Sequence, residues 1–294
     1  MRITPFWESA LNLLTVIVLI FFGCVLSFAA EDKTRDDFNN EFDSYVRYSA
    51  SRSIKADSGK VGIIKSESEY SHELKLFEQL PVKLSLGYQY IGINDTVKLK
   101  LPAHLTGVTT DIETTLPLFS LSKTYLRLGV SPSFYGDNWD FNSSNFRIPS
   151  RYIIIYKPNE KWTFLCGVAV YPTYENPVFA IGGFIYKPND KLVFNIVPNR
   201  PNVAYSVNER ITLFTEGDLY VEEFRVSRGD PKDVVLRYAE ARLGSGIKFK
   251  INDSIYSSFS AGSLFNHYLR YRDSQGKVGI KNGLYTEFRV EVQL

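Results

Sequence analysis

The chain has 294 residues, of which 34 are basic and 32 are acidic, so its formal net charge is +2. A protein that neutralises phosphates usually carries a basic patch or stripe, and this near-balance therefore excludes nucleic acid as a partner. Aromatic residues make up 15% of the chain and charged residues 22%. These fractions exclude a disordered or collagen-like chain and are typical of a β-rich envelope protein.

The first 30 residues have the order of a secretory signal peptide. Arg2 precedes an almost unbroken apolar run at residues 11–26, and the small residues Ser27 and Ala29 precede a polar segment. We expect cleavage after Ala29, which gives a signal peptide at residues 1–29 and a polar lead-in at residues 30–40. An uncleaved membrane anchor is the alternative. With Cys24 removed, Cys166 is the one cysteine of the mature chain, and its apolar surroundings predict a buried, inert thiol.

From residue 41 to the C-terminus, apolar and polar residues alternate with period two, which is the pattern of strands with one apolar face. In residues 82–90, for example, Val, Leu and Tyr side chains share one face, and Lys83, Ser85, Gly87 and Gln89 share the other. Gly217 predicts a bulge or break in one of these segments. Fourteen segments alternate in this way: 41–53, 60–77, 82–92, 105–118, 124–133, 147–157, 161–171, 178–187, 191–198, 202–207, 210–227, 234–250, 254–270 and 280–293.

A turn motif recurs between these segments. The sequence YKPNEKW at residues 156–162 is echoed by YKPNDKL at residues 186–192, and more loosely at residues 205–211 and 249–255. Asn followed by an acidic residue tolerates the dihedral angles of a tight turn, and the preceding aromatic residue suits a membrane–water boundary. Longer polar stretches, such as residues 134–146 and 227–233, alternate with these turns. Short turns at one end and long loops at the other are typical of outer-membrane barrels.

Alternation by itself also fits a soluble periplasmic β-protein, which is the alternative fold. The best strands keep an apolar face over about 9–11 residues, enough to cross a bilayer when tilted. Several polar faces carry charges of both signs, which suit a wet or charge-paired lumen better than a sandwich core. We therefore predict an all-β fold, an antiparallel transmembrane β-barrel of 12 to 14 strands that occupies residues 41–294.

The last strand resembles the C-terminal assembly signal of bacterial outer-membrane proteins, with Leu294 where Phe is usual. It predicts recognition by the barrel-assembly machinery and insertion into outer-membrane lipid. The repeated Tyr-Lys-Pro-Asn turns, residues 182–186 and residues 196–210 together resemble a family of bacterial outer-membrane β-barrels known only as a domain of unknown function. That resemblance covers residues 45–294 and implies a barrel in the outer membrane. It implies no activity and no catalytic residues.

Few residues point to catalysis. His72, His104 and His267 lack the spacing of metal ligands, and no glycine-rich phosphate loop is present. We therefore expect a non-enzymatic protein without a metal or cofactor, with His267 near the rim of its strand. Two alternatives stay open: a lipid-modifying hydrolase with His267 or His72 as its base, and an adhesin that binds through the aromatic loop around Trp139.

The expected function is an integral outer-membrane barrel, either structural or a narrow porin-like channel for small solutes. Charged residues on the predicted inward face are the candidate site residues. They either set solute selectivity or pair with one another and fill the barrel. Glu240 and Arg242 share a face, which favours an ion pair between them. The predicted lumen-facing residues are Lys83, Arg127, Glu216, Glu240, Arg242, Glu287, Arg289 and Glu291.

Overall fold

The computed structural model describes residues 40–55, 58–76, 80–96, 101–118, 121–138, 145–198, 200–227, 234–272 and 276–293. The predicted signal peptide lies outside the described residues. No helix in these segments is long and apolar enough to cross a membrane. The described residues form seventeen strands: β1 (Asn40–Ser53), β2 (Lys60–Leu76), β3 (Leu80–Asp95), β4 (His104–Pro117), β5 (Thr124–Val130), β6 (Ser133–Gly136), β7 (Phe146–Arg147), β8 (Ser150–Asn159), β9 (Trp162–Val170), β10 (Val178–Asn189), β11 (Leu192–Ile196), β12 (Asn202–Ser206), β13 (Ile211–Val226), β14 (Val234–Lys250), β15 (Ile255–Tyr271), β16 (Lys277–Ile280) and β17 (Gly283–Gln293).

The strands form one closed sheet of antiparallel neighbours. β17 pairs with β1 from Glu41 opposite Gln293 to Ser49 opposite Tyr285, and this pairing closes the barrel. Three pairs of short strands each act as one wall strand. β5 and β6 both pair with β4. β8 pairs with β5, and β7 pairs with β6. β16 and β17 both pair with β15. The wall therefore has fourteen strands, which confirms the predicted barrel.

The two faces of the sheet differ as the alternation predicts. Leu284 and Phe288 of β17 are 73% and 52% exposed, whereas Tyr285 and Glu287 between them are 2% and 3% exposed. An exposed apolar face and a buried polar face are the reverse of a soluble protein and are typical of a membrane barrel. Cys166 lies on the exposed apolar face of β9. The prediction of a buried thiol is therefore wrong, because apolar sequence here faces lipid and not a core.

The recurring turn motif builds the same hydrogen-bonded turn four times. Asn159 Oδ1 accepts hydrogen bonds from the backbone N–H groups of Lys161 and Trp162, both at 3.0 Å. This geometry confirms that the motif encodes a side-chain-capped turn. At the last copy, a hydrogen bond from Lys250 Nζ at 2.8 Å lowers the pKa of the Asp253 carboxyl. The equivalent bonds, at 2.8–3.0 Å, are accepted by Asn189, Asn208 and Asn252.

Aromatic rings gather beside these turns. The Trp162 ring stacks on Phe164 with centroids 5.3 Å apart and on Tyr186 with centroids 4.1 Å apart. Tyr156 of β8 and Tyr205 of β12 are exposed. Amphipathic rings at this level of the wall are typical of the aromatic girdle at a membrane–water interface.

The irregularity in the sheet is not at Gly217. β13 passes through Gly217 in continuous register with β14, so the predicted bulge is absent. The register shifts instead between β14 and β15, where Asn266 adopts a positive φ of 50°. An extra residue inverts the faces of the strand beyond it. His267 is consequently buried, at 1% exposure, and does not lie at the surface.

A cluster of buried apolar side chains lies at the long-loop end of the barrel. It is built from the ends of strands β2, β3, β4, β13, β14, β15 and β16, beside the connections between them. These side chains fill the end of the barrel that is opposite the short turns. The cluster consists of Ile54, Val61, Ile63, Ile91, Ile93, Leu105, Phe224, Val226, Leu236, Tyr238, Leu269, Tyr271, Val278 and Ile280.

Candidate functional site

The outer part of the β13–β14 hairpin is buried on both of its faces. A strand in a barrel wall exposes every second side chain, yet every residue from 236 to 242 of β14 is buried. Residues 222–224 of β13 are buried as well. This segment of the hairpin is therefore covered on both faces, although β14 stays paired with β15 along it.

The short strands β11 and β12 explain why the outer end of β13 can separate from β12 and bend across the barrel. β12 pairs with β13 as far as Glu216, and the N–H of Gly217 then donates to the carbonyl of Pro201 at 2.8 Å. Farther along, Arg225 of β13 forms a parallel bridge with Gly136 of β6. A Cβ atom at residue 136 would lie 3.2 Å from the Arg225 carbonyl oxygen, so glycine permits this close approach.

Side chains from other parts of the wall hold the hairpin in place. Gln89 Nε2 of β3 donates a hydrogen bond to the Tyr220 hydroxyl of β13. Lys65 Nζ of β2 lies 3.2 Å from the centroid of the Tyr220 ring, a cation–π contact. Arg147 of β7 lies 3.5 Å from a carboxylate oxygen of Glu222. The hairpin thus contacts β2, β3 and β7 and closes the long-loop end of the barrel.

The second buried face of the hairpin carries charges that pair with the β9–β10 connection. Arg237 donates two hydrogen bonds to Glu223 Oε1, at 3.0 and 2.7 Å. Arg237 also contacts Glu175 of that connection at 3.0 Å. Arg270 pairs with Glu175, and Arg272 pairs with Glu223. These five residues, which we call the latch, join the hairpin to the connection that covers it.

Glu287 of β17 is the centre of a buried ionic network that includes charged residues of the hairpin. Its carboxylate contacts Arg47 at 2.8 Å, Arg242 at 3.4 Å and Arg289 at 3.1 Å. Each arginine has a further acidic partner, because Glu240 lies 2.6 Å from Arg47 and other carboxylates contact Arg242 and Arg289. Charges buried this way need partners, and here each charge has one or more. The Glu287 network consists of Glu287, Arg47, Arg242, Arg289, Glu240, Glu216, Asp218 and Asp43.

Every predicted site residue makes an ion pair in the structure. Glu216, Glu240, Arg242, Glu287 and Arg289 meet in the Glu287 network. Glu240 pairs with Arg47 of a different strand, so the predicted Glu240–Arg242 pair is wrong. The other three predicted residues form separate pairs, which are Lys83 with Glu41 at 2.6 Å, Arg127 with Glu113 at 3.4 Å, and Glu291 with Lys248.

The sequence analysis missed Arg47, which contacts two carboxylates of the network. Tyr45, Arg47 and Ser49 alternate with Val46 and Tyr48 along β1, so aromatic side chains occupy both faces and the polar face is not distinct. Arg47 lies directly opposite Glu287 in the pairing of β1 with β17. A search for opposite charges on the first and last strands of the barrel could therefore have found Arg47.

His267 and His72 each form a hydrogen bond with a side chain other than serine. Arg52 Nη2 donates to His267 Nδ1 at 2.7 Å, and since arginine only donates, the histidine proton is on Nε2. No free lone pair is then left for His267 to act as a base. His72 Nδ1 shares a hydrogen bond with Asn40, and Trp139 of the adhesin alternative lies outside the described residues. No group of three or more described His, Cys, Asp and Glu side chains is arranged to hold a metal ion.

A family model described as "Domain of unknown function (DUF6268)" matches residues 135–293, which is more than half of the chain. The chain belongs to the DUF6268 family. The matched part includes the β13–β14 hairpin, the latch and both Tyr-Lys-Pro-Asn turns of the DUF6268 chain. No curated protein sequence matches it.

Solved structures show what the DUF6268 barrel is similar to. An outer membrane channel from Pseudomonas putida F1 superposes with a TM-score of 0.50 at 9% identity, over 90% of this chain and 98% of that chain. The TodX monoaromatic hydrocarbon channel, in its deltaS2S3 mutant form, gives a TM-score of 0.48 at 9% identity, over 88% and 91% of the two chains. At 9% identity, the similarity to the Pseudomonas putida channel shows the fold alone, an outer-membrane β-barrel. The similarity to TodX, with its lower TM-score, adds nothing to that conclusion.

Proposed function

We propose that this DUF6268 protein is a narrow, porin-like outer-membrane channel for small solutes, held closed by its own β13–β14 hairpin. One observation carries the proposal: a closed barrel of fourteen wall strands has an exposed apolar face and a buried face rich in paired charges. Barrels of about 8 strands are filled by their side chains, whereas those of 16 to 18 strands enclose an aqueous channel. At fourteen strands the interior has room for solute, and the hairpin occupies part of that room.

The ion pairs favour a channel over a purely structural barrel. Apolar side chains of similar volume fill an interior as stably as a buried ion pair does, and often more stably. The Glu287 network instead offers charges that water and solute can solvate once the hairpin moves. In this proposal Lys83, Arg127, Glu216, Glu240, Arg242, Glu287, Arg289 and Glu291 line the lumen and set its selectivity.

The same proposal includes the cellular location. The signal peptide at residues 1–29 is removed, residues 30–40 form a polar lead-in, and residues 41–294 form the barrel domain. The barrel-assembly machinery inserts this domain into outer-membrane lipid through its last strand. The fold likeness to an outer membrane channel and the aromatic rings at the short turns support this location. The likeness is to a channel rather than an enzyme, which supports a non-enzymatic role.

A disulfide across the closed end tests the proposal. Asn138 Nδ2 lies 3.3 Å from Ser227 Oγ, where the β6–β7 connection meets the hairpin, so the two positions are neighbours. The parent is the chain from residue 30 with Cys166→Ser, which has no cysteine. Asn138→Cys with Ser227→Cys is made in this parent. Formation of the disulfide in the double variant is first verified by the loss of free thiols on oxidation, and conductance is then measured in planar bilayers.

We expect conductance events in the parent, their loss on oxidation of the double variant, and their return with dithiothreitol. Oxidation leaves the parent unchanged. If neither the parent nor the reduced variant conducts above the bare bilayer, the channel proposal is wrong.

A further inference from the structure

The duplicated Tyr-Lys-Pro-Asn turns lie side by side, and the proposed channel does not explain their lysines. The first copy joins β8 to β9, and the second joins β10 to β11. β9 pairs with β10 so that Trp162 of the first copy lies opposite Tyr186 of the second. Both turns are therefore at the same place on the short-turn end of the barrel.

A cavity of about 360 Å³ lies at these two turns. Ile155, Leu165 and Ile185, one each from β8, β9 and β10, form its apolar wall. Ile155 lies opposite Leu165 in the sheet, and Ile185 lies opposite Thr163, which also lines the cavity. The volume lies at the lower end of the range of small-molecule sites, roughly 300–1,000 Å³.

The charged lining of this cavity is basic. Arg127, Lys157, Lys161 and Lys187 line it against one carboxylate, that of Glu160. Lys157 and Lys187 occupy the same position in the two copies of the motif. The repeat thus supplies one lysine from each turn to a shared cavity.

These lysines are exposed at the turns, and Lys157 Nζ lies 5.7 Å from the centroid of the Tyr125 ring. Among the described residues, no carboxylate lies within 4.0 Å of Lys157, Lys161 or Lys187. By contrast, Arg47 and Arg242 of the Glu287 network each contact at least two carboxylates. A concave site with uncompensated positive charge attracts anions.

We propose that the two turns form a binding site for a small organic carboxylate that carries an apolar segment. The lysines bind the carboxylate, and the wall of Ile155, Leu165 and Ile185 covers the apolar segment. The paired arrangement of Lys157 and Lys187 reaches the anion from two neighbouring hairpins. This site assigns a class of solute to the proposed channel. Transport of that solute rests on the proposed function, whereas binding to the site does not.

Binding to the purified, folded barrel in detergent tests the site without any need for conductance. The probe is hexanoate, measured by calorimetric titration, with acetate, inorganic phosphate and hexylammonium as comparison ligands. The test variant is Lys157→Gln with Lys187→Gln. The matched control is Lys191→Gln, because Lys191 is exposed in the second turn and does not line the cavity.

We expect the double variant to bind hexanoate at least tenfold more weakly than the wild type, and Lys191→Gln to stay within twofold. Acetate, phosphate and hexylammonium bind more weakly than hexanoate to the wild type. Equal hexanoate binding by the double variant and the wild type overturns the site, and so does a wild type that prefers any comparison ligand. Hexanoate binding without conductance supports the site and contradicts the channel. Conductance without hexanoate binding supports the channel and contradicts the site.

Discussion

Arg225 of β13 bridges Gly136 of β6 in parallel orientation, although five wall strands separate the two on one side of the barrel and seven on the other. Neighbouring strands of this barrel pair antiparallel, so the bridge marks a segment that has crossed the interior. β14 stays paired with β15 along this length, so the sheet itself bends across the barrel at its β13 edge. Closure of the long-loop end is thus built into the barrel sequence itself.

Enlarging Gly136 should displace the hairpin. A side chain there meets the Arg225 carbonyl oxygen at 3.2 Å and Asn145 Nδ2 at 3.4 Å, and valine adds further atoms to that contact. We expect Gly136→Val to raise the mean conductance in planar bilayers above that of the wild type. Gly182→Val is the control, because nothing lies within 4 Å of a Cβ at residue 182. Equal conductance for both variants and the wild type contradicts the crossing hairpin as the closure.

Neutralising Glu287 should destabilise the barrel. Glu287→Gln removes one carboxylate partner from Arg47, Arg242 and Arg289, each of which keeps another. We therefore expect a loss of about 1–3 kcal/mol, the cost of a lost partner for buried hydrogen-bonding groups. The measurement is the free energy of unfolding in urea from detergent micelles. Glu291→Gln is the control, because Glu291 and its partner Lys248 are partly exposed, and such a pair contributes about 0–1 kcal/mol. Similar losses for the two variants would falsify the central role of Glu287.

Each capped turn should stabilise its hairpin by a modest amount. Asn159→Ala and Asn189→Ala each remove the acceptor of two backbone hydrogen bonds. A net contribution of about 0.5–1.5 kcal/mol per hydrogen bond, reduced by the exposure of the turn, predicts a loss of about 1 kcal/mol for each variant. Asp190→Ala, next to the second cap and exposed, is expected to change the free energy of unfolding by less than about 0.5 kcal/mol. An unchanged free energy of unfolding in both Asn variants means that the cap does not stabilise the turn.

The barrel should resist SDS until it is heated. Every wall strand has a hydrogen-bonded neighbour on each side, and a closed barrel leaves no edge for detergent to open. We expect the purified protein to change its mobility on an SDS gel after boiling and to fractionate with outer membranes. A single mobility, boiled or not, together with a soluble fraction contradicts the membrane barrel.

The sequence alone determined the wall of this barrel. The fourteen predicted segments match the fourteen wall strands to within a few residues, because alternation with period two depends only on which side of each strand meets lipid. The sequence also determined the turns, since Asn159 and its three counterparts accept hydrogen bonds from backbone N–H groups within their own turn. The exposed Leu284 and the buried Glu287 follow from the same local pattern.

The tertiary structure decided what fills the barrel. The hairpin folds inward because β11 and β12 are too short to flank the far end of β13, and Arg225 then bridges a strand about ninety residues earlier in the chain. His267 is buried because one irregular residue, Asn266, inverts a strand whose composition gives no sign of it. Arg47 finds Glu240 and Glu287 because the barrel closes β1 onto β17. These contacts join residues far apart in sequence, so no local periodicity could specify them.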